Sequence, residues 1–362
     1  MRLRVTVATV DPRQDTRGIV APTRMMQHVR FARFPTPEPL TGLVDWYWLV
    51  EWDLPPGRRH PQQVLSHPAV NISVGVAPPP GVDPPPGPYP LRTMVNGVDV
   101  TMTTRTLSGR GWNLAAKTTT GGFGAWVDDV RALNGAFLPL RAVMDADGDA
   151  LARRCAGDAR DAGDARDTGD ARDTGDAGSA RSAMCDAAED GSDGDTDPCD
   201  EPRAPGEDRL HDVDHAVRTL DAALLAALVA RPAERIALSR EVARIAAVAE
   251  RDRSVRRVGE LARLAGVTTR TLQRMFASCA GVSPTYVVRR FRLLDAAEMV
   301  RDGQSVEWAS IAHQLGYADQ AHLTRDFTAS LGRTPAAYAR ECATADPTPP
   351  MIAAEDDPEG SP

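Results

Sequence analysis

Between residues 253 and 342 one pattern is written twice, and a chain that repeats a pattern in register has few ways left to fold. The first copy contains VGELARLAGVTTRTLQRMFASCAGVSP from Val258, the second WASIAHQLGYADQAHLTRDFTASLGRTP from Trp308. In each, a short amphipathic helix is expected over Val258, Leu261, Ala262 and Ala265, or over Trp308, Ile311, Ala312 and Leu315. It stops at Gly266 or Gly316, where a left-handed residue can close a helix. A three-residue turn leads to a second helix whose apolar residues are Leu272 and Phe276, matched by Leu323 and Phe327. The offset is 50 from Leu261 to Ile311 and from Gly266 to Gly316. It is 51 from Gly281 to Gly332 and from Pro284 to Pro335, which places one inserted residue in the region of the second copy's second helix. One helix-turn-helix pattern is often mere core packing. Two in register, each closed by a G-x-[ST]-P step, are far more specific.

If Leu272, Met275 and Phe276 face a core, Thr269, Arg270, Gln273 and Arg274 face outward, with Arg270, Gln273 and Arg274 on one face. Arginine offers paired donors that match guanine, and glutamine matches adenine. The corresponding face of the second copy carries Gln320, Ala321, His322 and Arg325, while Asp319 is suited to cap the helix. This block resembles the AraC/XylS family of bacterial transcription regulators. The resemblance implies two helix-turn-helix subdomains on one long helix, here Pro284 to about Arg301 with Ser283 as N-cap. It implies second helices that enter successive major-groove segments about 34 Å apart, with Thr269, Arg270, Gln273, Arg274, Gln320, Ala321, His322 and Arg325 at the DNA. Arg289, Arg290 and Arg292 have two uses open to them, phosphate contacts or ion pairs with Asp295 and Glu298. Trp308 reads as core and His313 as a packing or surface residue.

Charge taken whole argues against a nucleic-acid partner, since 42 basic and 50 acidic residues leave a net charge of −8. Its distribution reverses that argument, because a domain's own charge is what meets a partner. Residues 144–209 carry a net −12 and the tail 343–362 carries −5, whereas residues 253–342 carry +5 and residues 1–143 another +5. The acidic segment repeats GDARDA, GDARDT, GDARDT and GDAGSA from Gly157 with almost no large apolar residue, so disorder is expected. It lacks the apolar residue that each repeat of a calcium-binding solenoid needs. An acidic insert of this kind could compete with DNA for the basic block.

Residues 27–126 show short alternating runs from His28, Val44, Val70, Met94 and Gly111, separated by Pro and Gly clusters such as PPPGVDPPPGP. They read as an antiparallel β domain, a barrel or sandwich. The pattern resembles the cupin-like sensory domain of many AraC-type regulators. Trp46, Trp48 and Trp52 share one strand face, which serves either core packing or a ligand pocket. His60 and His67 lack the His-x-His spacing of a metal cupin strand, so no metal and no cofactor are expected. No phosphate loop, nucleophile elbow or paired-carboxylate site is evident. Cys155, Cys185, Cys199, Cys279 and Cys342 form no CxxC pair, so neither a disulfide framework nor a zinc site follows.

Apolar residues recur at helical spacing at Val213, Val217, Leu220, Leu224 and Leu228, then at Leu238, Val242, Ile245 and Ala249. Two linker helices meeting at Arg231-Pro232 are expected, packed on the sensory domain or used for homodimerisation. The expected class is therefore α+β and multidomain. A disordered extension covers 1–24, a β-rich sensory domain 25–143, an acidic insert 144–209, linker helices 210–252, the helix-turn-helix domain 253–342 and a disordered acidic tail 343–362. The function expected is a cytoplasmic, non-enzymatic, sequence-specific regulator that binds double-stranded promoter DNA and answers an effector. RNA polymerase and a second copy of the chain are further partners, and no membrane is involved. The rivals are a cupin-type metalloenzyme with a DNA-binding appendage and a methyl acceptor using Cys155 or Cys279.

Overall fold

The structure is a computed structural model and describes residues 18–19, 25–82, 89–157, 210, 212–301 and 308–345. The GDARDA repeats, most of the expected N-terminal extension, part of the Pro/Gly cluster and the tail beyond 345 lie outside the described residues.

Eight strands build the N-terminal part: β1 Val29–Pro35, β2 Val44–Asp53, β3 Arg59–Val64, β4 Asn71–Gly75, β5 Arg92–Asn96, β6 Thr103–Ser108, β7 Arg110–Thr118 and β8 Phe137–Pro139. They form one six-stranded sheet in the order β1-β2-β7-β4-β5-β8 and a separate β3–β6 pair, with every pairing antiparallel. Period-two alternation gives the large sheet two different faces. Tyr47, Leu49, Ile72, Val74, Val95, Trp112, Leu114 and Ala116 make up one face, buried in the main core. The other face carries Trp46, Trp48, Trp52, Asn71, Ser73, Asn96, Asn113 and Lys117 and looks toward β3 and β6 across a cavity.

Helix α1 (Gly148–Ala156), α2 (Val213–Leu228) and α3 (Ala233–Arg251) cover the apolar side of this half. Tyr47 donates through its hydroxyl to Asp221 of α2 at 2.7 Å, and Trp126 donates to the Leu224 carbonyl at 3.0 Å. The α2 stripe Ala216, Leu220, Leu224 and Leu228 and the α3 stripe Val242, Ile245, Ala246 and Ala249 are buried within this chain. Of the two uses expected for these stripes, the fold takes packing.

Several boundaries differ from those expected. The run from Met94 is two strands, because the chain leaves β5 at Gly97 and enters the other sheet at Thr103. Strand β3 was not expected, since Pro61 argues against a strand; it is tolerated because β3 pairs on one side only, with β6. Helix α1 lies inside the segment assigned to the acidic insert. Its charge hides a buried stripe of Leu151, Ala152 and Cys155, and Asp147 caps it by accepting from the Asp149 and Ala150 amides at 3.0 Å each. Ile19, inside the expected extension, is buried and bridges to Val64.

Candidate functional site

The C-terminal part is built from α4 (Val258–Leu264), α5 (Thr269–Cys279), α6 (Pro284–Arg301), α7 (Trp308–Gln314), α8 (Gln320–Leu331) and α9 (Pro335–Ala345). Helix α9 carries the domain three residues into the expected tail. Gly266 and Gly316 both sit at positive φ, 70° and 79°, and reverse the chain between the paired helices. The cap of α5 is Thr268, whose hydroxyl accepts from the Thr271 amide at 3.1 Å; the cap of α8 is Asp319, which accepts from the His322 amide at 2.7 Å. These caps are themselves 51 apart. The extra residue of the second copy therefore lies in the turn before Asp319 and not within the helix, in keeping with the 51-residue offsets from Leu272 to Leu323 and from Phe276 to Phe327.

Leu272 and Phe276 of α5, like Leu323 and Phe327 of α8, are fully buried. The opposite sides are open. Arg270, Gln273 and Arg274 are exposed and Thr269 is half-buried; Gln320, Ala321 and Arg325 are exposed and His322 is half-buried, edge-on to the Tyr317 ring. Arg256, Arg257, Arg263 and Arg289 are further exposed arginines of this domain.

The connecting helix α6 is not an exposed rod. Val287, Val288, Phe291, Leu293 and Leu294 bury it on several sides, and Arg290 and Arg292 are only 1% and 2% exposed. Neither of these two arginines can serve a phosphate, which removes that alternative for them. Arg292 bonds the Ala249 carbonyl and pairs with Asp295 at 3.1 Å. Arg253 reaches the same carboxylate at 3.4 Å and Glu298 at 3.2 Å. Arg290 instead crosses to the β half, donating to the Ser66 carbonyl at 2.9 Å and the Asp99 carbonyl at 3.2 Å; the Tyr286 hydroxyl donates to Asp99 at 3.2 Å as well. Nothing in the sequence around Arg290 announced this role.

The β half holds each copy separately. Arg235 of α3 donates to the carbonyls of Gly124 at 2.6 Å, Val127 at 2.9 Å and Ser278 at 2.8 Å, and Asn134 donates to the Gly281 carbonyl at 2.9 Å. Gly124 is there because a side chain would collide with Cys279, whose Cα lies 2.6 Å from where a Cβ would be. The second copy is tied through the Met102 amide to the Ser330 carbonyl at 2.7 Å and through Arg333 to Gln63 at 2.9 Å.

Between the two sheets lies a cavity of about 170 Å³, an order of magnitude above the ~10–15 Å³ one water needs. The three tryptophans line it, as the pocket alternative anticipated. Other lining residues went unnoticed in the sequence, among them Arg33, Asn71, Ser73, Asn113 and Lys117. Lys117 pairs with Asp45 at 2.6 Å and stands 3.9 Å from the Trp46 ring centroid, with the Arg33 guanidinium 4.5 Å from the same ring. Burial lowers the Arg105 guanidinium to about 10 and raises the Asp99 carboxyl in spite of Arg105 beside it. His67, also lining, faces Glu250 of α3 at 3.5 Å. Among the described residues no three His, Cys, Asp or Glu side chains converge as a metal site would need, and no helix is long and apolar enough to cross a membrane.

Residues 261–341 match the family described as a helix-turn-helix domain, and residues 32–132 match one described as a domain of unknown function, DUF6597. A putative AraC-like transcription regulator of Streptomyces antibioticus is 36% identical over 81 residues, which is 22% of this chain and 26% of the relative. This chain thus spans about a quarter of the length of that curated relative. Among solved structures, the C-terminal domain of AraT, a response regulator from Geobacillus stearothermophilus, aligns at 25% identity over 28% of this chain and 86% of that one, with a TM-score of 0.27. ToxT from Vibrio cholerae aligns at 8% identity over 78% and 98%, with a TM-score of 0.35. The C-terminal block is a tandem helix-turn-helix module. It is of the AraC type, as its two glycine stops and G-x-[ST]-P steps indicated.

Proposed function

We propose that this protein is a sequence-specific regulator of transcription that reads promoter DNA with α5 and α8 and senses a small molecule in its β half. One observation carries the reading. Two capped second helices, joined by one buried helix, each present a mostly polar and cationic face: Thr269, Arg270, Gln273 and Arg274 on one, Gln320, His322 and Arg325 with the small Ala321 on the other, Thr269 and His322 being half-buried. The 18 residues of α6 span about 27 Å, a reach of the same order as one turn of DNA.

A signal has a direct route in this reading. Ser66 and Asp99 line the cavity and hand their carbonyls to Arg290 and Tyr286 of α6, the helix that joins both DNA readers, which gives a shift of that wall a path to them. RNA polymerase and a second copy of the chain are the further partners this reading brings. Footprinting of the full chain on promoters recovered by genome-wide mapping tests it. Protection of two major-groove segments about one helical turn apart is expected; uniform coating of any DNA would overturn it.

A further inference from the structure

The glycines that stop the first helix of each copy share a left-handed conformation and differ in their neighbours. A side chain on Gly266 would point into open space, with nothing within 4 Å of its Cβ. At Gly316 the Cβ, Cγ and Cδ of Arg256 all lie within 2.8 Å of the place a Cβ would take, a crowding that no packed side chain tolerates without displacement. Helix termination alone accounts for Gly266. At Gly316 a second demand is added, room for the stem of an arginine 60 residues earlier in the chain. The backbone that projects this stem belongs to the first copy. The Arg256 amide donates to a Glu260 carboxylate oxygen of α4 at 2.8 Å, the Arg257 amide donates to the same oxygen at 3.1 Å, and Val255 on the other side is buried. What the stem rests on belongs to the second copy. Tyr317, next after Gly316, donates its amide to the Ala312 carbonyl at 2.8 Å, and its ring meets His322 in the first turn of α8 edge-on at 5.1 Å. Its buried hydroxyl feels both copies: burial raises its pKa, Asp326 of α8 adds to the rise, and Arg289 and Arg292 of α6 oppose it. The line of contact thus runs from Arg256 over Gly316 and Tyr317 to the start of α8. The far end of the second copy is held elsewhere, by α9 against α6. Two separated supports fix an orientation that one would leave free to rotate.

Resting on the DNA-reading function above, we propose that Arg256 is a positioning residue: its aliphatic stem seats the second copy on the first, so that α5 and α8 stand at one separation and the chain accepts one spacing of its two half-sites. The three atoms nearest the glycine are stem carbons, so the guanidinium is not what does the seating. The role is therefore separable from a phosphate contact. Arg256→Gln keeps Cβ, Cγ and Cδ and removes the charge, whereas Arg256→Gly removes both.

The test titrates the full chain onto a mapped promoter site and onto versions with one base pair added or removed between the two protected segments, a step that turns one segment against the other by about 35°. The native chain should bind the altered sites roughly tenfold or more weakly. Arg256→Gln should discriminate as strongly, and Arg256→Gly distinctly less. No discrimination by the native chain, or its loss in Arg256→Gln, overturns the proposal. So does equal discrimination by all three proteins; a salt slope lowered by about one in both variants would then mark Arg256 as a phosphate contact instead. A second measurement needs no DNA. In thermal unfolding, adding Arg256→Gly to Gly316→Ala should return part of what Gly316→Ala loses, and adding it to Gly266→Ala, which carries the same backbone strain without the crowding, should return nothing. No coupling at Gly316, or equal coupling at both glycines, overturns the seat. The two readings fail separately. Should the chain select no DNA site while the coupling at Gly316 holds, the DNA reading falls and the seat stands; should it select sites and ignore their spacing, the DNA reading stands and the positioning role falls.

Discussion

The two helix-turn-helix copies share a plan and differ in their setting. The first is locked to the β half from several directions: α3 packs on α5, Arg235 and Asn134 bond its last helical turn and the glycine after it, and Gly124 lies against Cys279. The second touches that half through the Met102 amide and Arg333 beside β3 and β6, the strands that roof the cavity. Repetition in sequence therefore did not bring equivalence in space. The first copy belongs to the main body, and the second is tied to the β half by fewer bonds.

Truncating the matched phenylalanines should break the comparison most visibly. Phe276→Ala and Phe327→Ala each remove a fully buried ring and should cost about 3–5 kcal/mol. Urea unfolding followed by tryptophan emission and helical signal together should show Phe276→Ala lowering the single main transition. Phe327→Ala should instead split off an earlier helical transition that leaves the β half intact. Identical curves would show that the two copies are held alike.

At the DNA the copies should again be separable. Arg270→Ala and Arg325→Ala should each weaken binding to a specific site by about 1–3 kcal/mol if they touch base edges. Equal losses on random DNA would move them to the phosphates, and no loss for either would remove α5 and α8 from the interface. The caps come next in size. Thr268→Ala should cost about 0.5–2 kcal/mol of helix stability, and Asp319→Ala a similar amount; amide exchange along α5 and α8 would register either. If the first copy is buttressed as argued, exchange should speed up more in α8 than in α5.

The smallest effect concerns Cys155, on α1, which packs on α2 and β5. Burial pushes its thiol up to about 12, against the ~8.5 of a free cysteine. A raised value means the buried thiol's contribution to stability is complete below the unfolded value and fades as pH climbs from about 8.5 toward 12. Alkylation by iodoacetamide at pH 8 should be slow in the native chain and fast in urea. Rapid native alkylation would show α1 to be loosely docked and would also revive the idea of a reactive thiol there.

Much of the reader was legible because its constraints are local. A glycine at positive φ, a capping hydroxyl or carboxylate, and apolar residues four apart all act within a few residues, so Gly266, Asp319, Leu272 and Phe276 could be placed without any tertiary knowledge. The runs of β1, β2, β4 and β7 were legible for the same reason. Strand β3 was not, since Pro61 argues locally against what pairing with β6 permits. Helix α1 was hidden by the charge of its neighbours. Alternation put Trp46, Trp48 and Trp52 on one face, yet it could not tell a packed core from a cavity, so Lys117, Asn113 and Arg33 were not singled out.

What the sequence determined by itself is the module: two copies of a helix pair with outward arginines and glutamines, a basic block in an acidic chain, and alternating strands ahead of it. Only the tertiary structure decided which arginines are free to meet a partner. Arg270 and Arg290 look alike in the sequence, and one lies open while the other is sealed against Ser66 and Asp99, more than 180 residues away. A side chain's chemistry is written in the residue, but its access to water is set by whatever the rest of the chain brings to its side.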